Sequence, residues 1–262
     1  MRSNLNWRAS YSTPHPRPIG APRTWASRPG ILGAPMNNPK EIAGRRAAEF
    51  VESDTIVGLG TGSTVYFTLV RLAERIREEG LSIRGVPTSL DTETKARDMG
   101  IPLATLEEVH SIDLTIDGAD EVDPGFCLTK GGGGALLREK VVAHVSAREV
   151  IVLGPDKLVE RLGDTFPLPV EVVDFALPMV EREVARLGFE PCVRQTEAGE
   201  IYRTDNGHPI LDCRFPGGIP DPAGMEAELD RIPGVVETGL FVGLAQVLVI
   251  GHPDGKAEVR EL

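Results

Sequence analysis

The sequence predicts an α/β protein in which an open, mainly parallel sheet is joined to a second, smaller α+β domain. Three observations carry that reading. Between residues 40 and 153, short apolar runs rich in Val and Ile alternate with longer segments of helical period, the pattern of βαβ units. After about Gly163 the rhythm changes to Pro-marked strands and two helices. A last fully apolar run, 246–250 (QVLVI), reads as a strand that returns to the first sheet. The expected division is a disordered leader over 1–35, an α/β domain over 36–164 plus 241–262, and a small α+β domain over 165–240.

Each element has its own signal. Residues 40–52 read as a helix because Ile42, Ala43, Ala47, Phe50 and Val51 are spaced for one face. Residues 55–59 (TIVGL) are a buried strand, followed by a Gly-rich turn and a helix to about Glu79. Next come a strand over 82–87, a helix over 92–98 and a short strand over 103–106. Residues 112–116 (IDLTI) are a strand that ends at Asp117, 135–145 a helix and 150–153 a strand. In the second part, a strand is entered through Pro167 and Pro169, and 179–187 is a helix. Strands then run from Val193 onward, over 209–213 and over 235–240, with a helix over 221–231.

Composition narrows the function. With 262 residues, 41% hydrophobic and 26% charged, the chain reads as an ordinary globular protein. No run approaches the roughly 20 apolar residues that span a membrane. Cys127, Cys192 and Cys213 have neither zinc-pair spacing nor a disulfide framework, so a reducing, cytoplasmic compartment is expected. Residues 1–40 hold five Arg, Lys40 and no acid, while the whole chain carries −11, which leaves −17 on residues 41–262. An acidic body argues against nucleic acid or an anionic membrane as partner. An anionic ligand would have to be held by a local positive pocket. The leader is rich in Pro, Arg, Ser and Gly and lacks the apolar core of a secretory signal. Three origins compete for it: a solvated tail, an upstream stretch with Met36 the physiological start, or a transit peptide. The first two are favoured.

Four segments follow expected strands, and in an open α/β sheet such loops share one crevice. Gly58-Leu59-Gly60-Thr61-Gly62-Ser63-Thr64 opens a helix. It has Ser63 where a dinucleotide fingerprint has Gly or Ala, and it has no Walker Lys. It reads equally well as an anion site at a helix N-terminus or as a plain helix cap. Asp117-Gly118-Ala119-Asp120-Glu121 puts three acids on one turn. They could work on hydroxyls, yet a solvated acidic turn is the commoner outcome. No His is spaced to complete a metal site there. Lys130 precedes Gly131, Gly132, Gly133 and Gly134, which allow close approach of backbone to a ligand. One turn later Glu139 shares a helix face with Leu136, Val142 and Ala143, where desolvation would raise its pKa toward that of a useful base. A surface Glu paired with Arg138 or Lys140 is the ordinary alternative. The fourth segment, Gly154-Pro155-Asp156-Lys157, could bring Lys157 to the crevice, and Thr88 and Ser89 could add hydroxyls.

Taken in order, these pieces resemble the type A ribose-5-phosphate isomerases. The resemblance runs from about Lys40 to the C-terminus. It rests on GLGTGST (58–64), PTSLDTE (87–93), DGADEVD (117–123), KGGGGALLREK (130–140), FPLPVEV (166–172), TDNG (204–207), LD (211–212), IPGVVETGLF (232–241) and GHPDG (251–255). One departure is Gly154-Pro155-Asp156, where the family usually has a short Asp- and Ser-containing turn. The resemblance implies a Rossmann-like sheet domain, a ferredoxin-like small domain, and interconversion of ribose 5-phosphate and ribulose 5-phosphate. It implies a small sugar phosphate as partner, a homodimer or homotetramer, and no metal or redox cofactor. It also implies roles. Thr61, Gly62, Ser63 and Thr64 would hold the substrate, chiefly its phosphate. Asp117, Gly118, Ala119 and Asp120 would contact sugar hydroxyls, with Asp117 assisting ring opening. Lys130, Gly131, Gly132 and Gly133 would wall the site, Glu139 would carry the proton, and Lys157, with Lys40, would add charge. Such an isomerisation moves a proton between C2 and C1 through a cis-enediolate. One carboxylate can make both transfers, and Lys130 with the amides of 131–134 would stabilise the oxyanion. Two rivals remain: a sugar-phosphate-sensing regulatory domain, which would need a DNA-binding segment, and a coenzyme A transferase-like enzyme.

Overall fold

Why the chain folds around one crevice follows from where its strands are buried on both faces. A computed structural model of the chain describes residues 38–262, so the expected leader and a start at Met36 lie outside the described residues. The first helix, α1 (Pro39–Ala48), is capped by Asn38 and has Pro at its first turn. Strand β1 (Thr55–Leu59), helix α2 (Val65–Glu78), strand β2 (Ile83–Pro87), helix α3 (Leu90–Asp98) and strand β3 (Leu114–Gly118) follow. Then come β4 (Glu121–Val122), β5 (Leu128–Thr129), α4 (Leu136–His144) and β6 (Glu149–Leu153). The second part contains β7 (Leu168–Val172), α5 (Leu177–Arg186), β8 (Glu190–Val193), β9 (Ile210–Arg214), α6 (Pro222–Asp230) and β10 (Val235–Thr238). The chain ends in β11 (Leu240–Phe241), β12 (Val247–Gly251) and β13 (Ala257–Glu261).

The large sheet has the order β13-β12-β6-β3-β1-β2, parallel except for β13. Both β6 and β12 are buried at every residue, as expected for parallel strands covered on two faces. Return of 247–251 to this sheet agrees with the sequence reading. Successive strands run outward in opposite directions from β1, so the switch point lies between β1 and β3, where an open α/β sheet leaves a crevice beyond its carboxyl ends. The second sheet, β10-β7-β9-β8, is antiparallel and carries α5 and α6, the ferredoxin-like order.

Four expectations need correction. Residues 103–106 form no strand; Leu103 makes only an isolated bridge to Gly85. The regular strand expected from Val193 onward ends there, and the pairing continues only irregularly, with Arg194 N donating to Ile210 O, Tyr202 N donating to Arg194 O and an isolated bridge between Gln195 and Ile201. The run 235–240 divides at Gly239 between two sheets. Finally, β4, β5 and β11 build a three-stranded sheet that the sequence did not signal, because two-residue strands have no period to read. That small sheet matters for function: it hydrogen-bonds Lys130 N to Gly239 O at 2.9 Å and so fixes the lysine.

Candidate active site

The loop after β1 becomes an anion cradle because α2 begins with its amides unspent. Gly62 has φ +122°, a conformation that favours glycine, and it turns the chain into the helix. Thr64 stands at the N-cap but makes no side-chain capping bond. The capping alternative is therefore not realised. The N–H groups of Gly62, Ser63, Thr64 and Val65 have no acceptor among the described residues, and all four residues line one cleft. Unsatisfied amides at the positive end of a helix macrodipole suit a phosphate. Helix α1 packs tightly on α2, with Thr68 Oγ1 donating to Gly44 O at 3.1 Å, and this brings Lys40 Nζ to 2.8 Å from Ser63 Oγ.

At the end of β3 the acids divide their work. Asp117 is fully buried; its Oδ1 accepts from Thr61 N at 3.0 Å and Gly118 N at 2.7 Å. Gly60 permits this approach, since a side chain there would run into the Asp117 carboxylate. Its other oxygen, Oδ2, makes no hydrogen bond and lies 3.0 Å from Lys130 Nζ. Asp120 faces the cleft, and its Oδ2 accepts from Gly132 N at 2.8 Å. Burial raises the Asp120 pKa above its ordinary value, against the Gly132 amide and nearby Lys130. Glu121 turns away: its carboxylate accepts from Gly163 N, Thr165 N, Thr165 Oγ1 and Phe166 N at 2.6–2.8 Å.

Lys130 and Glu139 form the chemical centre. Lys130 Nζ donates to Gly118 O at 2.5 Å, lies 3.5 Å from Glu139 Oε2 and sits 5.3 Å from the Phe241 ring centroid. Burial works to lower the lysine pKa, but Asp117, Glu139 and Glu149 outweigh it and keep the ammonium protonated. Glu139 lies on the buried face of α4 beside Leu136, Val142 and Ala143. Burial lifts its carboxyl well above the usual range; Lys130 pulls it back, and Asp117 and Asp120 push it further up. Its Oε2 has no hydrogen-bond donor. The result is a desolvated carboxyl on the lining of the cleft, with the Lys130 ammonium beside it.

The cleft measures about 330 Å³, the small end of ligand pockets. Thr61, Gly62, Ser63, Thr64, Gly118, Ala119, Asp120, Lys130, Gly131, Gly132, Gly133, Glu139 and Lys157 all line it, as does Lys40. Asp117 does not; it lies behind the lining. Lys157 arrives on a 3-10 turn over Pro155–Lys157 despite the altered preceding residues. Thr88 and Ser89 are buried, and both hydroxyls lie 2.8 Å from Thr61 Oγ1 instead of lining the crevice. Lys40, Lys130 and Lys157 share the lining with Asp120, Glu139 and Asp156, so lysines alone do not make the pocket positive. Anion binding therefore rests on amides and the placement of charge, not on an excess of it. Of the four glycine amides, two are already taken, Gly132 by Asp120 and Gly134 by Gly131 O. Sequence reasoning missed Arg194, Tyr202 and Asp212, which back the glycine wall from the second sheet. Contacts this distant in sequence leave no local signal.

Among the described residues no group of three or more His, Cys, Asp or Glu is arranged to hold a metal, and no helix is long and apolar enough to cross a membrane. A larger groove of about 1030 Å³ is lined mainly by apolar residues, including Ile101, Leu103, Leu137 and Val141, and its polar rim is paired within itself, Arg97 with Glu93 and Arg138 with Asn206.

Comparison with known proteins agrees with this geometry. Residues 84–255 match the family model described as ribose 5-phosphate isomerase A (phosphoriboisomerase A). The chain is similar to ribose-5-phosphate isomerase A of Gloeobacter violaceus, with 52% identity over 82% of this chain and 93% of the relative. It is similar to that of Listeria innocua, with 46% identity over 86% of this chain and 99% of the relative. A solved D-ribose-5-phosphate isomerase in complex with phospho-erythronic acid superposes with a TM-score of 0.83 and 37% identity, over 86% of this chain and 100% of that one.

Proposed function

Because the chain belongs to the ribose 5-phosphate isomerase A family and is an aldose–ketose isomerase of the pentose phosphate pathway, interconverting ribose 5-phosphate and ribulose 5-phosphate, we propose that Glu139 carries the proton between C2 and C1. The observation that carries this role is the buried Glu139 carboxyl, which lines the cleft with Oε2 making no hydrogen bond and lying 3.5 Å from the Lys130 ammonium. Ionised, it takes the C2 proton of the aldose and leaves a cis-enediolate. Protonated, it returns that proton to C1 while the O2 hydroxyl proton passes to O1, which leaves a hydroxyl on C1 and the carbonyl at C2 of the ketose. The same group is base and then acid, so no second carboxylate is needed for the carbon steps.

The neighbours divide the remaining tasks. The free amides of Gly62, Ser63, Thr64 and Val65, with Lys40 and Lys157, hold the phosphate. Asp120, whose Oδ1 makes no hydrogen bond within the protein, takes sugar hydroxyls beside Gly118 and Ala119. Lys130 and the Gly133 amide stabilise the enediolate oxygen, and Gly131 and Gly132 complete the wall. Asp117 holds the ammonium of Lys130 in place; to assist ring opening its Oδ2 would have to reach the ligand from behind the lining. Glu139→Gln tests the base. We expect substrate binding to persist while kcat falls about 10²–10⁴-fold; near-wild-type kcat would sink the assignment.

The enzyme is placed in the cytoplasm, in keeping with three unpaired cysteines, and is read as a homodimer or homotetramer. Light scattering that reports a monomer would reverse that reading. The division into domains at 164/165 and 240/241 is likewise ours, supported by the separate antiparallel sheet.

A further inference from the structure

The glycine wall is held from behind by groups with no part in binding. Arg194 follows β8, and its guanidinium forms a two-bond pair with Asp212 on β9, at 2.9 Å from Nε and 2.6 Å from Nη2. Its Nη1 donates to Gly131 O at 2.9 Å and to Gly132 O at 3.1 Å. The guanidinium carbon lies 5.6 Å from the Tyr202 ring centroid, and the Tyr202 hydroxyl donates to Gly133 O at 3.1 Å. Three successive carbonyls are therefore held by two side chains from the second sheet and the loop beyond it.

A trans peptide is planar, so its N–H points opposite to its C=O. Drawing Gly131 O toward Arg194 aims the Gly132 N–H the other way, and that N–H meets Asp120 Oδ2 at 2.8 Å. Drawing Gly132 O toward the same nitrogen aims the Gly133 N–H to the Asp120 side as well. Gly133 is exposed in the cleft, faces Thr61, and its amide has no partner among the described residues. A cation on the carbonyl also polarises the peptide and strengthens its N–H as a donor.

We propose that Arg194, fixed by Asp212 and assisted by Tyr202, is a positioning residue that presets the Gly132–Gly133 peptide as the oxyanion donor of the isomerisation. The inference rests on the proposed proton transfer at Glu139. Arg194 touches no substrate; it acts through a peptide that does. A donor aligned beforehand needs no reorganisation as charge develops, and loss of one such donor costs about 10²–10³ in kcat.

The test uses the full chain with Arg194→Lys and Tyr202→Phe, so that the phenol hydroxyl is removed without disturbing the Arg194–Asp212 pair. Two probes separate the roles: inorganic phosphate for the anion cradle, and phospho-erythronic acid, whose carboxylate sets two oxygens in one plane as an enediolate does. We expect kcat to fall by about tenfold or more in Arg194→Lys and by less in Tyr202→Phe, with KM within about threefold. Affinity for phospho-erythronic acid should fall with kcat while affinity for phosphate holds. Unchanged kcat in both variants overturns the proposal. A parallel loss of kcat, phosphate affinity and melting temperature overturns it too, because that is the mark of a general structural role. Glu139→Gln, measured alongside, reports on the base independently: if that variant keeps its kcat, the proton-transfer reading fails whatever Arg194 does.

Discussion

At the scale of single residues, the account turns on one carboxylate kept in an apolar setting with a lysine beside it. Glu139 must be ionised to take a proton, and its pKa is raised, so kcat/KM should fall at low pH with a limb above the usual carboxylate range. Lys130 pulls that pKa down and Asp117 pushes it up. Lys130→Gln should therefore move the acidic limb to higher pH, and Asp117→Asn should move it to lower pH; pH–rate profiles that shift together contradict the arrangement. A second buried carboxyl, Glu149 at the start of β6, has no hydrogen bond to either oxygen, and burial pushes it up to about 8. An unfolded glutamate titrates near 4.3, so the folded chain holds a proton that the unfolded chain loses as pH rises between those values. Stability tied to that proton is complete below the unfolded pKa and is lost as pH climbs toward about 8. Glu149→Leu should raise the melting temperature more at pH 8 than at pH 5, and an equal gain at both would refute the linkage. The sequence made Glu139 legible because its helix spacing put it among Leu136, Val142 and Ala143. It gave no sign of Arg194, whose importance comes from contacts with Gly131 and Gly132 some sixty residues away.

At the scale of elements, function follows from how helices begin. Ser89 caps α3, its hydroxyl accepting from Thr92 N at 3.0 Å, whereas Thr64 leaves the start of α2 uncapped. The same residue class thus serves stability in one helix and a ligand in the other. Ser89→Ala should destabilise the protein by about 1 kcal/mol, while Thr64→Val should change stability by less than about 0.5 kcal/mol yet weaken binding of inorganic phosphate. Urea titration and phosphate calorimetry on the two variants would show the contrast, and a stability loss in Thr64→Val as large as in Ser89→Ala would contradict it. Strands β6 and β12 were readable because parallel strands buried on both faces are mainly apolar, and β1 and β3 because they keep an apolar core of Val57, Leu59, Leu114 and Ile116. Strands β4, β5 and β11 were not, because their two-residue ladders depend on partners far along the chain. Edge strand β13 hid for the opposite reason: three of its five residues are charged and none is fully buried.

At the scale of the whole molecule, an acidic protein handles an anionic substrate without a basic pocket. Three lysines and three acids line the cleft, and helix amides carry the difference. The third acid of the DGADE turn ties the assembly together. Glu121 on β4 accepts four hydrogen bonds from the 163–166 segment, which leads into the second sheet. Glu121→Ala would leave those donors buried without an acceptor and should cost about 2–5 kcal/mol in urea unfolding; a cost under about 1 kcal/mol would remove the latch from the account. The central claim, that Glu139 moves one proton between C2 and C1, is tested most directly by hydrogen exchange followed by NMR in heavy water. Wild-type enzyme should introduce solvent deuterium at C1 of ribulose 5-phosphate and at C2 of ribose 5-phosphate, and Glu139→Gln should lose both exchange reactions together with turnover. Exchange at C2 continuing near the wild-type rate in Glu139→Gln would contradict it.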